Sequence, residues 1–64
     1  MWHDPIVITM QAREMVMQHG DRAEMVAKEK MFDYMQQGDM NAAGLWMAIV
    51  QEVRKMLRSP SGIN

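Results

Sequence analysis

Glycine followed by aspartate occurs twice in this chain, at Gly20-Asp21 and Gly38-Asp39, and Asp4-Pro5 stands near its start. Aspartate accepts hydrogen bonds from the free N–H groups of a first helical turn, and proline fits the first helical position. Glycine tolerates the left-handed conformation that ends a helix. The segments between these marks are therefore expected to be helical, over about residues 5–19, 22–37 and 40–58. Asp21 and Glu24 have the spacing of a capping box, with Asp in place of Ser or Thr. Ser59-Pro60-Ser61-Gly62 should stop the third helix. The residues flanking the two Gly-Asp pairs do not repeat, so the pairs read as reused punctuation. No segment alternates with period two, and the linkers are too short for a strand. Short turns between helices favour antiparallel neighbours. The expectation is an all-α, up-down-up three-helix bundle, one domain over residues 1–58 with a flexible tail over 59–64.

At about 100° per residue the helices sort into faces. Ile8, Ala12, Met15 and Val16 group on the first helix. On the second, Ala23, Val26, Ala27, Met31 and Tyr34 group around Lys30, whose stem should snorkel. Ala42, Trp46, Ile49, Val53, Met56 and Leu57 form the clearest stripe, opposite Gln51, Arg54, Lys55 and Arg58. Trp46 against Ala23 and Ala27 would make a large-against-small core contact.

The first two helices each carry a second apolar stripe, opposite the first. It consists of Ile6, Met10 and Met17 on one helix and Met25 and Phe32 on the other. In an antiparallel hairpin about Gly20-Asp21, Met17 would lie level with Met25 and Met10 with Phe32. The stripes would then merge into one surface of the kind that marks an interaction site. The alternatives are a wider core that takes these residues in, a homodimer interface, or a groove for another protein. Chain length bears on the choice. A domain of 64 residues buries only about 60% of its unfolded surface and usually leans on disulfides, metal or oligomerisation. The chain has no cysteine, which leaves oligomerisation. Its ten methionines suit either a small core or an adaptable binding surface.

Other functions find less support. His3 and His19 lie about a helix length apart and cannot share a metal within one chain. His19 instead suits the negative end of a helix dipole. Met15 and Met17, with His19 nearby, could suggest a Cu(I) site, but the methionines point about 200° apart. No metal or other cofactor is expected. Catalysis needs converging polar groups in a pocket, usually of about 300 Å³ or more. Here the aspartates are accounted for by capping, Glu24 and Lys28 by an i,i+4 pair, and Ser59 and Ser61 fall in the tail. The chain is read as not an enzyme, and no small-molecule substrate is evident. No apolar run is long enough for a membrane span, and the N-terminus lacks a signal-peptide pattern, so a cytoplasmic setting is expected. Nucleic acid is the alternative partner. The second and third helices could form a helix-turn-helix, with Arg54, Lys55 and Arg58 as its basic end. A net charge of −1 and an apolar start to the third helix disfavour it.

The stretch from Ile6 to Leu57 resembles a group of short α-proteobacterial helical proteins of unknown function. The shared marks are His19-Gly20, Ala23 and Ala27 at four-residue spacing, Gly38-Asp39, and Trp46 followed by Ile49. The resemblance implies a helical domain and supplies no activity, substrate or cofactor. Taken together, the residues point to a non-enzymatic protein–protein interaction module, homodimeric and regulatory, using Ile6, Met10, Met17, Met25 and Phe32.

Overall fold

A computed structural model describes residues 4–58, all-α and without a strand among them. His3, Ser59, Ser61 and the expected tail over 59–64 lie outside the described residues. Helical backbone runs unbroken from residue 5 to 36 in three pieces: α1 (Pro5–His19), a 3-10 turn (Gly20–Arg22) and α2 (Ala23–Gln36). After a short break follows α3 (Met40–Arg58). The expected three separate helices are thus two helical runs, because the first linker is itself wound helically. The chain still changes direction there. Gly20 has φ 59° and ψ −129°, the geometry of the first central position of a type II′ turn, which suits glycine.

The caps explain the boundaries. Asp4 Oδ1 accepts from the Ile6 N–H at 2.9 Å, with Pro5 at the first helical position. Asp39 Oδ1 accepts from the Ala42 N–H at 3.0 Å. At the end of α2 the Gly38 N–H donates to the Met35 carbonyl and the Asp39 N–H to the Tyr34 carbonyl. With Gly38 at φ 82°, this is a Schellman motif. Asp39 therefore closes α2 with its N–H and opens α3 with its carboxylate. Asp21 departs from expectation, since it lies within the 3-10 turn and α2 has no side-chain cap. Glu24, the other half of the expected capping box, is taken up by two cations instead. A charged donor offers a carboxylate more than a neutral backbone N–H does.

The core comprises Ala12 and Met15 of α1, Ala23 and Ala27 of α2, and Ile49, Val50 and Val53 of α3. Ile8, Val16, Val26, Leu45, Trp46 and Met56 pack around it. Ile49 and Val53 are the largest side chains enclosed completely. The α2–α3 contact is the most extensive, α1–α3 comes next, and α1 and α2 meet only slightly. Two contacts fix the α2–α3 register as antiparallel: Glu24 with Arg54, and Lys30 over the Trp46 ring at 5.6 Å from its centroid. That register sets Trp46 beside Lys30, two helical turns from Ala23, and not squarely over both alanines as expected. Leu57, expected in the core stripe, is exposed near the chain end, whereas Ala43 and Val50 are buried although the stripe omitted them. Among the described residues, no helix is long and apolar enough to cross a membrane.

Candidate interaction surface

The residues of the second stripes stand outside the core. Ile6 is 68% exposed, Met10 63%, Met17 76%, Met25 57% and Phe32 55%. Helical geometry accounts for this. Met10 and Met17 lie nearly opposite Ala12 and Met15, and Met25 and Phe32 nearly opposite Ala23 and Ala27. Met15 is buried while Met17, two residues on, is not, as their opposed directions require. The wider-core alternative therefore does not describe these five side chains within one chain.

The structure brings only some of them together. Ile6 and Met10 share an open hollow of about 360 Å³ with Pro5, Thr9 and Arg13, all from α1. Met25 lines a separate hollow of about 310 Å³ with Asp21, Glu24 and Lys28. Neither of these two hollows contains Met17 or Phe32. Each stripe lies on the side of its helix away from the shared core, and α1 and α2 touch only slightly. These hollows reach the size of small ligand sites, larger than a domain this small was expected to offer; the first is lined mainly by apolar residues, and the second sets Asp21, Glu24 and Lys28 beside Met25.

Further apolar exposure went unnoticed in the sequence. Met35 follows Phe32 by one turn, Val7 adjoins Ile6, and Met40 and Met47 lie outward on the first half of α3. Met40 and Met47 were legible in principle, since both sit opposite Ile49 and Val53 when α3 is drawn as a wheel.

The basic end of α3 is largely occupied. Arg54 donates to Glu24 Oε2 through Nε at 3.0 Å and Nη2 at 2.9 Å. Lys28 Nζ reaches the same oxygen at 3.5 Å, and Lys55 pairs with Glu52 at 3.3 Å. The bonded Arg54 guanidinium holds the Glu24 carboxyl below the ordinary glutamate value; partial desolvation works against this, and Lys28 adds to it. Of the three candidate phosphate contacts, Arg58 alone has no ion pair among the described residues. Among those same residues, no three His, Cys, Asp or Glu side chains cluster as metal ligands would.

The chain matches no family model, no curated protein and no solved structure. The functional reading therefore rests on its own surface. Its exposed apolar residues include Ile6, Met10 and Met17 on α1, Met25, Phe32 and Met35 on α2, and Met40 and Met47 on α3.

Proposed function

We propose that this chain is a non-enzymatic protein–protein interaction module: an up-down-up three-helix bundle that associates with a second copy of itself through the outward faces of α1 and α2, in a regulatory role. The observation that carries the reading is an inversion of size. Small side chains (Ala12, Ala23, Ala27 and Ala43) occupy much of the interior, while Ile6, Met10, Met17, Met25 and Phe32 stand more than half exposed. Burying a large apolar side chain contributes about 1.5–3 kcal/mol, so a domain that leaves these five among its exposed apolar residues gains by covering them on association. The shortness of the chain and its lack of cysteine support the same reading, since oligomerisation is the device left to it. Methionine and phenylalanine suit such a contact, because flexible thioethers adapt to an aromatic ring.

Sedimentation velocity tests this directly. The wild-type chain is expected to sediment as an oligomer at tens of micromolar, and Phe32→Asp or Met17→Asp as a monomer with undiminished helicity. A wild-type chain that stays monomeric at high micromolar concentration overturns the proposal.

A further inference from the structure

The outward faces of α1 and α2 carry the same pattern. Met10-Gln11-Ala12-Arg13-Glu14 matches Met25-Val26-Ala27-Lys28-Glu29 fifteen residues on, and an exposed apolar residue follows each three positions later, Met17 and Phe32. The two copies lie on either side of Gly20-Asp21 and at a different spacing from that of the Gly-Asp pairs, which hides the repeat. Burial follows the same pattern: Ala12 and Ala27 are fully enclosed, and the four flanking apolar residues are exposed.

This pattern has a handedness. Counted from Met10, Arg13 falls about 60° to one side of the stripe and Glu14 about 40° to the other. Lys28 and Glu29 fall in the same sense from Met25. Helices packed face to face in parallel bring opposite flanks together, and antiparallel ones bring like flanks together. An antiparallel contact between two such faces would set cation against cation and glutamate against glutamate. A parallel contact sets unlike charges across the seam on both sides. Arg13 and Glu29 are free to take part, since neither has an ion pair among the described residues. Among the described residues, Glu14 is engaged only by the Gln18 amide at 2.9 Å, and Lys28 only by Glu24 at 3.5 Å.

We propose that α1 of one copy docks in parallel on α2 of a second copy. Met10 then meets Met25 of the partner subunit and Met17 meets Phe32 of the partner subunit. Arg13 stands beside the partner's Glu29, and Glu14 beside the partner's Lys28. This inference rests on the self-association proposed above and specifies its geometry. Unlike-face docking covers both unpartnered faces with one kind of contact, and it sets a thioether against the Phe32 ring. Like-face docking would cover one face and leave the other needing a different contact.

The absence of cysteine makes cross-linking a clean test. Met10→Cys and Met25→Cys chains, mixed and oxidised, are expected to give the mixed disulfide well above its statistical share. In parallel, Arg13→Glu and Glu29→Arg are each expected to weaken self-association about two- to fivefold, and their combination in one chain to restore it. Self-linked disulfides at or above their statistical share, or no recovery in the combined variant, overturn the α1-on-α2 geometry. If Met17→Asp still dissociates the oligomer in that case, self-association itself stands. A monomeric wild-type chain removes both.

Discussion

Helix α3 encloses Ala43, Ile49, Val50 and Val53, and along its second half turns Gln51, Lys55 and Arg58 outward. Helices α1 and α2 enclose two residues each, Ala12 with Met15 and Ala23 with Ala27, and hold large apolar residues outside. The difference follows from position. α3 lies against both other helices, so a broad arc of its surface is covered, although Met40 and Met47 stay exposed on its first half. α1 and α2 each lean mainly on α3, so only one of their two apolar faces finds cover within the chain. The largest fully enclosed side chains therefore belong to α3, while α1 and α2 each keep a face of large apolar residues exposed. The buried alanines sharpen the contrast. They let backbones approach closely, but each removes little apolar area from water.

This contrast can be broken or sharpened by substitution. The largest effect is expected at Ile49→Ala, which opens a cavity where α3 meets the core. It should cost about 2–5 kcal/mol in urea unfolding; a loss under 1 kcal/mol would show that α3 is not the centre of the core. Ala27→Leu comes next, since a fully enclosed alanine has no room for three more carbons. A cost of about 1–3 kcal/mol is expected from overpacking, and unchanged stability would mean that α2 packs loosely. Gly38→Ala meets no neighbour within 4 Å but must adopt φ 82°. Its expected cost of about 1–2 kcal/mol is purely conformational.

Glu24→Gln is expected to act through pH. Arg54 depresses the Glu24 pKa in the folded chain, so the ion pair stabilises above the unfolded glutamate value and this contribution fades as pH falls through the folded one. The stability gap between wild type and Glu24→Gln, followed by unfolding titrations, should narrow on acidification. A gap that widens would refute the assignment. The smallest effect on folding is expected at Phe32→Asp, within about 0.5 kcal/mol for the monomer, although the same change is expected to abolish the proposed association. A large loss of monomer stability would place Phe32 in the core after all.

Much of the fold was legible because its signals are local. Asp4, Asp39, Gly20 and Gly38 act through backbone groups within four residues of themselves, so helix boundaries come out close to expectation. Heptad-scale apolar spacing placed Ala12, Met15, Ala27, Ile49 and Val53 on inward faces and the Met10 and Phe32 stripes opposite them. Signals that depend on competition misled. Asp21 and Glu24 have capping-box spacing, yet Arg54, thirty residues away in sequence, takes the carboxylate. Trp46 was expected over two alanines, but antiparallel register set it beside Lys30.

The sequence by itself determined where the helices begin and end and which residues share a face, because capping and periodicity need only neighbours along the chain. Tertiary structure alone decided which of two apolar faces on α1 and α2 is covered. That choice depends on how α1, α2 and α3 divide a limited contact surface. A helix wheel has no information about where its neighbours sit, so it cannot choose between two apolar faces until packing has filled one of them.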